Sequence, residues 1–84
     1  MLEDCKIRAF LTVVEEGSFT RAARRLGVSQ PAVSAQIASL EAAIGQSLFD
    51  RGTTLSLTPS GELFLQYARR IQDAYDLANA TFSK

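Results

Sequence analysis

The sequence predicts a mainly α-helical domain built from three helices, a short β-hairpin and one long closing helix. Three observations carry that expectation. Apolar residues recur at spacings of three and four along most of the chain, as helices buried on one face require. Glycines at 17, 27 and 45 interrupt this pattern and leave three separate helical segments. Between Gly45 and Pro59 two short apolar pieces flank a turn, and beyond Gly61 no breaker appears before the end.

In the first helix, residues 3–16, the buried stripe is read as Ile7, Phe10, Leu11 and Val14. Glu3 and Asp4 suit its N-terminal dipole, and Gly17 is placed to end it in a left-handed conformation. Ser18 then caps a second helix from Phe19 to Leu26, whose apolar positions are Phe19, Ala22, Ala23 and Leu26. Gly27 stops it. After Val28, Ser29 caps a third helix, with Pro31 in the first turn, where its missing N–H costs nothing. Val33, Ile37, Leu40 and Ile44 form its buried stripe, and Gly45 closes it. Ser47–Phe49 and Leu55–Leu57 are β-prone, and the turn residues Asp50 to Thr54 between them predict a hairpin. Thr58 and Pro59 open a last helix over residues 59–82.

Composition bounds the function. Eighty-four residues, 46% hydrophobic and 21% charged, suit one soluble domain with a modest core. There is no histidine, and lone Cys5 builds neither a disulfide nor a metal site, so an enzyme is not expected and no metal or cofactor is called for. The longest apolar run is too short to span a bilayer and no export signal is evident, which points to a cytoplasmic protein.

Nine basic and nine acidic residues cancel, and on its face that total argues against a nucleic-acid partner. The cancellation is uneven. Residues 1–16 set Lys6 and Arg8 against Glu3, Asp4, Glu15 and Glu16, whereas residues 17–58 set Arg21, Arg24, Arg25 and Arg51 against Glu41 and Asp50. The last segment balances. The basic excess is therefore central, and three of its arginines lie within residues 21–25.

A short helix, a tight turn at Gly27 and a longer helix make a helix-turn-helix, with Ala22, Ala23 and Val28 expected to fill the angle between the two. An ordinary helical corner has the same spacing. The third helix separates the two readings. Its N-terminal and outward positions are Ser29, Gln30, Ala32, Ser34, Ala35, Gln36, Ala38 and Ser39, small and uncharged, where a solvated face normally carries Lys and Glu. A surface that enters a major groove wants small residues with a few amides and hydroxyls. Gln30 has the chemistry to bond adenine, and Pro31, Ala32 and Ala35 to touch a thymine methyl. A plain Ala/Ser-rich helix explains the alanines but not the missing charge.

The run Gly17-Ser18-Phe19-Thr20-Arg21-Ala22-Ala23-Arg24-Arg25-Leu26, then Val28-Ser29-Gln30-Pro31-Ala32-Val33-Ser34, Gln36-Ile37 and Leu40-Glu41, resembles the DNA-binding domain of LysR-type transcriptional regulators. The likeness continues through Gly45, Leu48-Phe49-Asp50-Arg51 and Leu57-Thr58-Pro59-Ser60-Gly61, and so runs along almost the whole chain. It implies a bacterial winged helix-turn-helix over residues 1–58, with the third helix, about 29–44, in the major groove and the hairpin as a wing. Residues 59–84 would form a linker and dimerisation helix. The resemblance places Gln30, Pro31 and Ser34 at the bases; Ala32 and Ala35 are expected there on their apolar chemistry alone. The resemblance places Thr20, Arg21 and Ser29 near the DNA backbone, with Arg51 at the wing; Ser18 is expected at the backbone as well, and the hydroxyls of Thr53 and Thr54 are suited to bond phosphates. It also implies a homodimer on near-palindromic double-stranded DNA. A larger effector-binding domain, absent from this sequence, would sense a small molecule.

Two departures stand out. Family members often carry a basic residue at the position of Ala35 and near Ala38 or Ser39, and several wing arginines; here Arg51 alone represents them. Fewer cations release fewer counterions, so a shallower salt dependence is expected. The same departures keep open a winged-helix module for protein–protein interaction or dimerisation that binds no DNA. In the long helix, Phe64, Ala68, Ile71, Tyr75, Ala78 and Phe82 alternate spacings of four and three, a heptad stripe suited to a dimer interface. Leu63 and Tyr67 are then expected to pack on the domain's own core; a helix packed wholly within its own chain is the alternative.

Overall fold

The computed structural model describes residues 4–82, apart from the side chain of Asp4, so the expected pairing of Glu3 and Asp4 with the first helix dipole lies outside the described residues. The elements are α1 (Asp4–Glu16), α2 (Phe19–Leu26), α3 (Gln30–Ile44), β1 (Phe49–Arg51), β2 (Leu55–Leu57) and α4 (Pro59–Phe82). This is the predicted order. The two strands form an antiparallel hairpin with Phe49 opposite Leu57 and Arg51 opposite Leu55.

Local chemistry sets the boundaries. Ser18, in extended backbone, caps α2 by accepting the Arg21 N–H at 3.1 Å, and Ser29 caps α3 by accepting the Ala32 N–H at 3.2 Å. Each such cap contributes about 1 kcal/mol. Gly27 ends α2 at φ 72°, a left-handed conformation that costs glycine nothing, and its turn returns the Val28 N–H to the Ala23 carbonyl. The turn does not bury Val28 as expected. Ala22 and Ala23 are buried and close the angle between α2 and α3, while Val28 stays 45% exposed at the outside of the corner.

Ile7, Phe10 and Val13 of α1, Val33, Ile37 and Leu40 of α3, and Leu48 make the fully buried centre. The stripe of α1 is thus rotated from the expected one: Ala9 and Val13 face inward, and Leu11 and Val14 lie half-buried at its edge. Buried Thr12 spends its hydroxyl on the Arg8 carbonyl one turn back, at 2.7 Å. Phe10 lies 5.4 Å from the ring of Phe49 and 5.1 Å, edge-on, from Phe64, joining hairpin and α4 to α1.

The first strand begins two residues later than predicted. Glu41 of α3 explains the shift: its carboxylate accepts the N–H groups of Leu48 (2.7 Å) and Phe49 (3.3 Å). The Leu48 carbonyl accepts the Thr58 N–H, so Ser47 and Leu48 are tied to α3 and to the start of α4 before pairing begins. Thr58 caps α4, accepting the Gly61 N–H at 3.0 Å and donating to the Ser47 carbonyl at 2.6 Å. Here α4 crosses so closely that a Cβ on Gly61 would collide with the Leu48 carbonyl oxygen. Only glycine fits that crossing.

Helix α4 has a packed half and a free half. Gly61, Phe64 and Ala68 are buried and Ile71 is partly buried against the same core, whereas every residue from Asp73 to Phe82 is exposed. The expected boundary after residue 58 therefore separates no independent bodies, because Phe64 and Ala68 complete the core formed by the residues before it.

Candidate nucleic-acid interface

The start of α3 presents the uncharged surface read from the sequence. Gln30, Pro31 and Ala35 are exposed, and Ala32 and Ser34 are half-buried beside them. Gln30 Nε2 donates to Ser34 Oγ at 2.9 Å, across one helical turn. That bond fixes the direction of the amide but spends only one of its two N–H groups. The carbonyl oxygen and one N–H remain, which is the pair that an adenine edge requires. The Ser29 oxygen is occupied by its cap, leaving the hydroxyl proton to donate outward. The α3 N-terminus further offers the backbone N–H groups that favour an anion.

The arginines of α2 are arranged less freely than their number suggests. Arg25 Nη1 lies 2.6 Å from Glu15 Oε1 and 3.3 Å from Glu16 Oε2, across the corner between α1 and α2. The hydrogen bond to Glu15 raises the Arg25 guanidinium further above its ordinary range, so it stays charged but is occupied. Arg21, expected at the DNA backbone, folds onto the end of α1: its Nη2 donates to the Glu16 carbonyl and its Nε lies 3.8 Å from the Glu16 carboxylate. Arg24 is exposed and has no carboxylate partner among the described residues. The sequence reading missed that distinction. Its trace is present in hindsight: Arg21 and Arg25 are one turn apart, on the side of α2 that meets the acidic pair, and Arg24 is not.

At the wing, Arg51 lies over the ring of Phe19, 4.2 Å from its centroid. This brings the hairpin's arginine beside the start of α2, where Ser18 and exposed Thr20 sit. Thr53 and Thr54 are exposed at the tip, and their hydroxyls make no hydrogen bond among the described residues.

The proposed dimer stripe needs a correction. Ala68 is 0% and Phe64 8% exposed, both inside the chain's own core, and Ile71 is partly buried against it. Phe64 and Ala68 cannot form the contact surface assigned to them, and Ile71 offers only part of its side chain to it. Leu63 and Tyr67, expected to pack inward, are instead 56% and 51% exposed and line an apolar groove with Ile44, Gln46 and Ser60. The helix is rotated by one residue relative to the reading, because Phe64 fits against Phe10 and Gly61 sets α4 tight on Leu48. Farther along, Tyr75, Ala78 and Phe82 are exposed as the stripe requires, together with Leu77.

No group of His, Cys, Asp and Glu among the described residues is arranged to hold a metal ion, and no described helix is long and apolar enough to cross a membrane.

Comparison with known proteins meets this geometry. Residues 6–62 match the family model described as bacterial regulatory helix-turn-helix protein, lysR family. The chain is 45% identical over 78 residues to a probable nitrogen assimilation transcriptional activator of Synechocystis, covering 93% of this chain and 25% of that protein. It is 44% identical over 71 residues to the HTH-type transcriptional regulator BenM of Acinetobacter baylyi, covering 83% of this chain and 23% of the other. The chain thus spans about a quarter of the length of the curated relatives it matches. Among solved structures, the BenM DBD in complex with catB site 1 DNA superimposes with a TM-score of 0.90 at 40% identity, covering 95% of this chain and 91% of that one. The CbnR DBD–DNA complex gives 0.89 at 36% identity, covering 95% and 93%. With four helices, a hairpin wing and a family match over most of its length, the chain belongs to the LysR family of bacterial regulatory helix-turn-helix proteins.

Proposed function

We propose that this chain is the DNA-binding head of a transcriptional regulator that acts, without enzymatic activity of its own, in the bacterial cytoplasm. The start of α3 enters the major groove, where Gln30 and Ser34 offer hydrogen bonds to base edges and Pro31, Ala32 and Ala35 offer apolar contact. Ser18, Thr20 and Ser29, the wing residues Arg51, Thr53 and Thr54, and Arg21 once it leaves Glu16 serve the phosphates and set register. Residues 1–58 supply this surface, and residues 59–84 carry the pairing helix. Two copies join through the outward side of α4, formed by Leu63, Tyr67, Tyr75, Leu77, Ala78 and Phe82, and present two α3 helices to a near-palindromic duplex. A small-molecule effector would act on a region of the regulator that this sequence does not include.

The observation that carries the reading is the exposed, uncharged start of α3, with its Gln30–Ser34 pair. The likeness to DNA complexes of two relatives supports it. A fluorescence-anisotropy titration with mixed-sequence duplex at low salt tests it: saturable, salt-sensitive binding is expected. No binding at high protein concentration would overturn it. One observation favours the second reading, a winged-helix module for protein contacts: Glu15 and Glu16 occupy two of the three α2 arginines. That module would give a flat titration.

A further inference from the structure

Three of the head's central arginines, Arg21, Arg25 and Arg51, are held by neighbours, but not by the same chemistry. Arg25 and Arg21 are held edge-on: their N–H donors point at Glu15, at the Glu16 carboxylate and at the Glu16 carbonyl. A donor spent on a carboxylate is not available to a phosphate. Arg51 is held by a ring instead: its guanidinium carbon lies over Phe19, 4.2 Å from the ring centroid. A cation resting on a ring spends no N–H on an oxygen acceptor, and the Arg51 side chain makes no hydrogen bond among the described residues. Among the described residues it has no carboxylate partner. It is therefore both localised and unspent.

The ring beneath it is itself fixed. Phe19 meets Phe49 edge-on at 5.6 Å, and Phe49 packs 5.4 Å from buried Phe10. Phe49 and Arg51 are two residues apart on β1, hence on one face of the hairpin, which is why the strand that seats the ring also carries the cation over it. Phe19 opens α2, the helix that crosses the DNA backbone in this class of motif.

We propose that Phe19 is a positioning residue, which holds the Arg51 guanidinium against its ring so that the unspent N–H groups meet a phosphodiester oxygen of the duplex backbone. This rests on the DNA-binding reading above. With few wing cations, the head gains most from one whose ordering is complete before the DNA arrives.

Four variants test it: F19L, F19Y, R51A and the double variant F19L/R51A, each checked for folding by circular dichroism and Tm. Two readouts are combined, the Kd for duplex DNA across a salt series and the ring-current shift of the Arg51 Nε–Hε signal by NMR in the free protein. F19L is expected to weaken binding to all duplexes alike, about 2- to 5-fold per head, and to lower the salt slope toward that of R51A. F19Y keeps the ring face and is expected to bind as the unaltered chain does. In the R51A background F19L should cost nothing more. The Nε–Hε signal should move toward its free position in F19L but not in F19Y. Equal losses from F19L with and without Arg51 would overturn the proposal, as would R51A binding with unchanged affinity and slope. An Nε–Hε signal already at its free position in the unaltered chain would overturn the clamp itself. Failure of the unaltered chain to bind any duplex, with the ring-current shift present, would instead reject the DNA-binding reading and the phosphate role while showing the clamp to be real.

Discussion

Helices α3 and α4 both expose long faces, and the two faces differ in kind. The outward side of α3 offers Gln30, Pro31, Ala35, Ala38 and Ser39, small and uncharged, with no large apolar side chain. The outward side of α4 offers Leu63, Tyr67, Tyr75, Leu77 and Phe82. An ordinary solvated face carries interleaved charge; these α3 residues carry none, and on α4 large apolar groups share the surface with Arg70, which lies over the Tyr67 ring. Small hydrogen-bonding groups suit the edges of base pairs, whose donors and acceptors need partners and whose groove excludes bulk. Large exposed aromatics and leucines lose free energy to water until another apolar surface covers them. The lesson is that an exposed face reports its partner through what it lacks: α3 lacks charge and bulk, while α4 lacks concealment.

Breaking the α4 side of this contrast should give the largest effect. Y67D with L77D is expected to yield a monomer by sedimentation and to reduce affinity for a two-half-site duplex by about 100-fold or more, since the second head no longer binds at high effective concentration. Affinity for a single half-site should hardly change. A persisting dimer would place the interface elsewhere. Truncation serves the same end only if cut after Gln72, because removal of Ala68 and Ile71 would open the core.

Gly61 tests whether α4 is seated as described. G61A drives a methyl into the Leu48 carbonyl and is expected to destabilise the head by about 3 kcal/mol, read as a lowered Tm. An unchanged Tm would mean that the crossing is looser. On α3, Q30A should cost about 1–3 kcal/mol on a preferred duplex and relax discrimination at one position. An unchanged ranking of duplex variants would remove Gln30 from the readout. The smallest effect is expected from R51A, which should weaken all sequences equally and flatten the salt slope by about 0.9 per head.

Much of this was legible in the residues, and what was not had definite causes. Helix starts and stops were readable because Ser18, Ser29, Thr58 and the glycines act on their own neighbours, within three or four positions. The α4 face was not. Two apolar stripes, one through Leu63 and Tyr67 and one through Phe64 and Ala68, run a single residue apart, and periodicity alone ranks them equally. The choice is made by Phe10 and the Leu48 carbonyl, both distant in sequence. The late start of β1 has a similar origin, in a Glu41 carboxylate that reaches seven residues along the chain. At the candidate interface, residue types pointed correctly to an uncharged α3 tip. They did not show which arginines are occupied, because pairing across 9 or 10 residues depends on how α1 meets α2. The charge count is local, but its availability is tertiary.

The central claim is that two copies, joined by α4, read DNA through the start of α3. Selection of preferred duplexes from a random pool tests it most directly, because sequence preference and symmetry are read together. The account predicts an enriched site of two similar half-sites related by near-twofold symmetry, their centres about one helical turn or a multiple of it apart. A pool that shows no enrichment, or a single half-site with no symmetric mate, would contradict it.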